Sequence, residues 1–289
     1  MSNQSYLKRV AAIHDLSGFG KCSLTVALPI LSAAGIETSA MPTAILSTHT
    51  GGFTGFTYLD TTSEMRPFTK HWKSLDIRFD AIYTGFLGSF EQLDIVNEFF
   101  DTFKREDNLI LVDPVMADNG ELYKIFTPDF ALGMRKLCEK ADIIVPNITE
   151  ACLLLGETYQ DGPYTEAYIE KLLKSLSQLG PKKVVLTGVY FEDENLGAAT
   201  YDAVTGQIDY TLVPKIPGYY HGTGDVFASA LLAGLLNDFS LSESAAIAVR
   251  FTAESIRRTY EAGTDIRFGV NFEQSFPSLL KELKLVKVP

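Results

Sequence analysis

HGTGDVFASALLAGLL, residues 221–236, is the stretch on which the fold turns. Glycines flank Thr223, and glycine permits the close approach and unusual dihedrals with which successive backbone amides surround an anion. Asp225 then opens a helix rich in Ala, Ser and Gly, able to pack closely against its neighbours. The N-terminus of such a helix carries unpaired amides and partial positive charge, which suit a transferring phosphoryl group. An acid in its first turn has two readings. It accepts a proton from an attacking hydroxyl, or it only caps the helix, since Asp is a favoured cap. The glycine on each side of Thr223 favours the first.

Working outward, short apolar runs alternate with helical ones. Strand-like runs fall at 9–14, 36–46, 80–85, 109–113, 142–146 and 183–188, with helical patterns between them. Residues 196–202 and 207–213 read as a hairpin with Thr205-Gly206 in its turn. From Asp225 onward the pattern is mostly helical. The strands are apolar throughout, as in a mostly parallel sheet covered by helices on both faces, a three-layer α/β fold. In that architecture ligands bind beyond the carboxyl ends of the strands. Those ends read HDLSGFG, LSTHTGG, TGFLGS, DPVMADNG, PNITE and LTGVYFE, all polar, glycine-rich or acidic.

The first of these, HDLSGFGKCS at 14–23, resembles a phosphate loop but fails both standard patterns. Gly20-Lys21 is followed by Cys22, not Ser or Thr, and Asp15 stands five residues before Gly20. Ser23 occupies the third glycine slot of a dinucleotide fingerprint. It therefore reads as a glycine-rich turn after strand one, with Cys22 as a buried residue of the helix that follows and Lys21 solvated.

The 289 residues are 46% hydrophobic, enough for a sizeable core, and they show no repeat or linker, so residues 1–289 read as a single domain. A net charge of -11 argues against a nucleic-acid partner, which needs a basic face. No apolar run is long enough to span a membrane. Cys22, Cys138 and Cys152 form no CxxC pattern, which points to neither a zinc site nor a disulfide framework. With no apolar signal region at the N-terminus, a cytoplasmic location is expected.

GTGD followed by a small-residue helix resembles the C-terminal signature of the ribokinase-like superfamily. STHT, YTGFLGS, DPVMADNGELY and PNITE occur in the matching order, and with AIHDLSGFG they resemble the vitamin B6 kinases, which phosphorylate pyridoxal, pyridoxine or pyridoxamine. The hydroxymethylpyrimidine kinases of thiamin biosynthesis share parts of the pattern. The resemblance runs over nearly the whole chain and implies a ribokinase-like fold. No β-rich lid of the sugar-kinase type is evident, which speaks against a sugar or nucleoside kinase.

Carried over residue by residue, the resemblance implies the following. Asp225 is the catalytic base, and the backbone of Gly222, Thr223 and Gly224 the anion hole. Asp113 and Glu150 organise Mg2+ and the triphosphate of ATP. Asp118 and Tyr123 lie beside the nucleotide phosphates, and Asn147 and Thr187 contact the nucleotide. Thr50 and His49 lie at the B6-ring end. Asp15 takes the slot where many B6 kinases have a serine on the pyridine ring, flanked by His14. A homodimer and a monovalent-cation requirement are further family expectations, and adenine contacts are expected between Val189 and Tyr220.

Structural roles stand beside these. Asp113-Pro114 also suits a strand end, and Glu150 a capping-box acid for a helix beginning at Asn147. His14 and His49 divide between ligand contact and loop structure. His221 shapes the turn before the anion hole, and His71 and the acidic run 192–194 lie on the surface. Asp225, Asp113 and Glu150 together argue against a non-catalytic binding protein of this fold.

Overall fold

The computed structural model describes residues 7–286. A nine-stranded sheet runs through them. Its strands are β1 (Arg9–Phe19), β2 (Glu37–Thr48), β3 (Tyr58–Asp60), β4 (Ala81–Thr84), β5 (Leu109–Val112), β8 (Ile143–Ile144), β9 (Lys183–Val189), β10 (Asn195–Asp202) and β11 (Gln207–Pro214), in the order β11-β10-β9-β8-β5-β4-β1-β2-β3. The six central strands, β9 to β2 in that order, are parallel. β10 and β3 run antiparallel to their neighbours at the two sides. A separate two-stranded hairpin, β6 (Ala117–Asp118) with β7 (Glu121–Leu122), stands at the sheet's carboxyl end.

Alternation along each strand feeds two cores. Ile13, Ile82 and Ile110 point to the layer of α2 (Thr62–Ser74), α3 (Phe90–Phe103), α4 (Pro128–Glu139), α5 (Ile148–Leu155) and α6 (Glu166–Ser177). Val10, Tyr83 and Leu111 point to the opposite layer, α1 (Leu24–Ala33), α7 (Thr223–Leu236), α8 (Leu241–Ala262) and α9 (Phe276–Glu282). This is the expected three-layer α/β fold, with the 196–213 hairpin extending the sheet as β10 and β11.

Two readings change. HDLSGF is strand, not turn: β1 stays paired with β2 as far as Phe19↔Thr48, with a register irregularity between His14 and Leu16. Cys22 lies in the turn before α1, outside the helix. β1 and β2 run on together after β1 has parted from β4 at Ile13↔Thr84, and Asp15 and Ser17 lie buried on that extension.

Candidate active site

Gly222 precedes α7 with φ 75, and a Cβ there would lie 1.9 Å from the Lys21 carbonyl oxygen. Only glycine fits that approach. No side chain caps α7, so its first-turn amides remain available to an anion. A Cβ on Gly224 would meet nothing within 4 Å, so one face of this turn is open. Asp225 is the third residue of the helix and Gly222 holds the cap position, which removes the capping reading of Asp225. Burial pushes the Asp225 carboxyl up to about 7, opposed by a hydrogen bond from the Ser23 amide and reinforced by the charge of Asp15.

Asp113 follows β5, its amide tied to the Thr84 carbonyl oxygen at 3.0 Å. Burial raises its carboxyl well above the usual range, and the charges of Glu150 and Asp225 add to this. Glu150 is pushed up to about 8 by burial, although backbone amides favour its charged form. Its Oε2 accepts from the Asn147 amide at 2.9 Å and its Oε1 from the Met116 amide at 3.1 Å. Asn147 returns the capping box, its Oδ1 accepting from the Glu150 amide, while its Nδ2 donates to the Ala117 carbonyl oxygen at 2.8 Å. The Gly120 amide donates to Thr149 Oγ1 at 2.9 Å. PNITE therefore clamps the β6–β7 hairpin in place, and the capping reading of Glu150 holds structurally. The parallel bridge Asn147↔Thr187 sets Thr187 beside the same helix start.

Asp118 Oδ2 accepts from Tyr219 Oη at 2.8 Å, which links the hairpin to the segment before α7 across the crevice. Burial raises the Tyr123 hydroxyl far above its ordinary range, with Glu150, Tyr219, Asp118 and Asp113 all opposing its ionisation. The structure thus gathers Asp113, Asp118, Tyr123 and Glu150 at one side of α7's N-terminus. Among the described residues, no three His, Cys, Asp or Glu side chains form a complete metal site. Buried acids that raise one another's pKa suit a cation, and Mg2+ characteristically takes few carboxylates, with waters and phosphates completing its shell.

On the other side, His49 is committed within the protein. Its Nδ1 accepts from the Gly51 amide at 3.0 Å, and its Nε2 lies 2.6 Å from the Arg267 carbonyl oxygen. Its ring sits 5.1 Å from that of His221, and Phe53 stacks with Phe268 beside it. Thr50 is exposed. Asp15 is buried, with Oδ2 accepting from Ser17 Oγ at 2.9 Å and Oδ1 from Ser23 Oγ at 2.5 Å. Burial pushes the His14 ring down to about 3, and both its nitrogens are without partners, edge-on to Tyr83. Lys21 is bound structurally, to Val270, Asn271 and Glu273.

Sequence reasoning passed over Ser23, Thr149 and Tyr219. Thr149 lay inside a motif already singled out. Asp118 and Tyr219 are 101 positions apart, and no local pattern announces their pairing.

An uncapped helix N-terminus with an acid in its first turn, opposite acids at parallel strand ends, defines a protein of the ribokinase-like superfamily. The phosphomethylpyrimidine kinase family model matches residues 28–269, and the chain belongs to that family. A solved structure from Bacteroides thetaiotaomicron, provisionally described as a phosphomethylpyrimidine kinase and holding pyridoxal, is 40% identical with a TM-score of 0.90, covering 95% of this chain and 96% of that one. Pyridoxal kinase from Lactobacillus plantarum is 31% identical with a TM-score of 0.87, covering 96% and 98%. Among curated proteins, pyridoxal kinase of Arabidopsis thaliana is 30% identical over 195 residues, a match that covers 63% of this chain and 60% of that relative's length.

Proposed function

We propose that the protein is an ATP-dependent kinase that transfers the γ-phosphoryl group to the 5′-hydroxymethyl group of a B6 vitamer. The observation that carries this is Asp225, placed by Gly222 inside the first turn of an uncapped helix. A base with a pKa of about 7 is matched to neutral pH. Asp225 accepts the hydroxyl proton as the oxygen attacks phosphorus. The amides of Thr223 and Gly224 and the dipole of α7 stabilise the charge on the transferring group. Asp113 and Glu150 would hold Mg2+, which would supply charge neutralisation for the triphosphate. Asp118, Tyr123, Asn147 and Thr187 belong to the ATP side, and His49 and Thr50 to the vitamer side. His49 acts there by holding the 47–52 loop, since both its nitrogens are engaged. The resemblance extends the proposal to a cytoplasmic homodimer.

The family description favours a second reading, hydroxymethylpyrimidine as the acceptor. The experiment is ATP consumption over the three vitamers, hydroxymethylpyrimidine and a panel of sugars. Turnover of a vitamer with the highest kcat/KM supports the proposal. Preference for hydroxymethylpyrimidine overturns it in favour of the second reading.

A further inference from the structure

Lys21 follows Gly20 as the lysine of a phosphate loop would, yet its ammonium is fully engaged within the protein. An ammonium has three donors. Lys21 Nζ gives them to the Val270 carbonyl oxygen at 3.2 Å, Asn271 Oδ1 at 3.3 Å and Glu273 Oε2 at 2.8 Å. The same ammonium lies 5.6 Å from the centre of the Phe272 ring. The segment that receives it is tied to the end of α8. The Asn271 amide donates to Thr259 Oγ1 at 2.8 Å, and Asn271 Nδ2 to Thr264 Oγ1 at 3.0 Å. α8 shares one core with α7. The backbone of Lys21 is held as closely as its side chain. Its amide donates to the Phe268 carbonyl oxygen at 3.2 Å. Gly269, at φ 81, packs so near that a Cβ there would lie 2.7 Å from Lys21 Cβ and 3.0 Å from the Lys21 carbonyl oxygen. That carbonyl oxygen is also the atom against which Gly222 packs. Gly222 in turn begins the α7 ladder, its own carbonyl oxygen accepting from the Val226 amide at 3.0 Å. An unbroken series of contacts therefore runs from the end of α8, through Lys21, to the start of α7.

We propose that Lys21 is a positioning residue for the anion hole: its ammonium fixes the turn before α1 against residues 268–273, and its carbonyl sets Gly222, from which the Thr223 and Gly224 amides take their direction. Lys21 acts through Gly222 and touches neither ATP nor vitamer. This rests on the kinase reading above. The need for such a brace is physical. Gly222 sits at φ 75, has no side chain to anchor it, and begins a helix that no side chain caps. Glycine left to itself samples many conformations, so the direction of the amides that follow must be fixed from outside. A misplacement of about 1 Å at a catalytic group is enough to cost about 100-fold in rate.

The test compares Lys21→Met and Asn271→Ala with the parent enzyme. A parent that turns over neither a vitamer nor hydroxymethylpyrimidine sinks the kinase reading, and this proposal with it. With an active parent, Lys21→Met keeps the apolar stem beside Phe272 and Gly269 and loses only the ammonium. It should lower kcat about 10- to 100-fold, with KM for ATP and for the acceptor within about twofold. Calorimetry supplies the second readout. Affinity for MgADP with aluminium fluoride, measured with acceptor present, should fall by about the same factor as kcat, and affinity for MgADP alone should not change. Asn271→Ala removes one acceptor and leaves the charge of Lys21 in place. It should shift the same two readouts in the same direction, by about 3- to 10-fold. If Lys21→Met weakens MgADP or raises KM for ATP as much as it lowers kcat, Lys21 contacts the triphosphate and the proposal fails. If the variant melts earlier but keeps parental kcat and parental affinity for the aluminium fluoride complex, Lys21 only secures the C-terminal segment and the proposal fails. Should Lys21→Met not fold, Asn271→Ala decides alone, and a parental kcat there overturns the proposal.

Discussion

Asp225→Asn should make the protein more stable at pH 8 while removing its turnover. The carboxyl rises from its ordinary 3.8 to about 7 in the fold, mainly through burial. Because the folded value lies above the unfolded one, ionisation disfavours the native state. The penalty is complete above pH 7 and fades as pH falls toward 3.8. Asparagine keeps the shape and carries no charge at any pH. The shift sets a ceiling of about 4 kcal/mol on the gain. Asp225 is open to the crevice, and solvent screening brings the expected gain to about 2 kcal/mol at pH 8 and under 1 at pH 5. The assay is urea denaturation of parent and variant at both pH values, with slopes compared so that only the midpoint reports stability. A variant that is less stable at pH 8, or whose gain is the same at both pH values, refutes the reasoning. Either result would mean that the carboxylate is well solvated in the fold, and so no base tuned to neutrality.

Asp113→Asn should raise the Mg2+ concentration needed for half-maximal turnover at saturating vitamer, by about tenfold or more; an unchanged titration removes Asp113 from the metal side. Glu150→Gln replaces one acceptor oxygen with a donor facing an amide, so the capping box and the β6–β7 clamp should loosen together. It should lower stability by about 1–2 kcal/mol and raise KM for ATP more than KM for vitamer, measured by denaturation and steady-state kinetics. Gly224→Ala has room for its methyl group and should fold with parental stability or better, yet lose turnover because the methyl stands where an anion approaches. Gly222→Ala drives a Cβ into the Lys21 carbonyl and should lose both, as a melting curve beside an activity assay would show.

What the sequence made legible was whatever depends on a run long enough to show a period. The strands flanking the sheet's centre are apolar on both faces because helices cover both, and their carboxyl ends could be listed before any geometry was known. HDLSGF escaped because its local signal is wrong for a strand. Gly18 and Ser17 interrupt the pattern, but Gly18 lies with its α-carbon close against β2, where a Cβ would be 3.3 Å from the Leu46 and Ser47 carbonyl oxygens. The glycine marks a close approach of two backbones, and pairing overrode propensity. The β6–β7 hairpin escaped for the opposite reason. Asn119-Gly120 is a strong turn signal, with both residues at positive φ, but strands of two residues have no period to read.

The site divides along the same line. Asp113, Glu150 and Asp225 stood out because each sits in a short motif at a strand end or helix start. Their relation to one another was not, because it lives in the crossing of chain segments. Glu150 shows this most plainly. From PNITE alone, a capping acid and a metal-side acid are alternatives. In the fold they are compatible, because an acid fixed by the Asn147 and Met116 amides still lies close enough to Asp113 to raise that residue's pKa. The same clamp that holds Glu150 holds the hairpin bearing Asp118, so one helix start sets the positions of both acids. Across the crevice the turn at Lys21 sets Gly222, the glycine before the helix that bears Asp225. A site whose acids are fixed by backbone amides needs few side chains of its own, and its supporting residues are therefore the ones a search for reactive side chains overlooks.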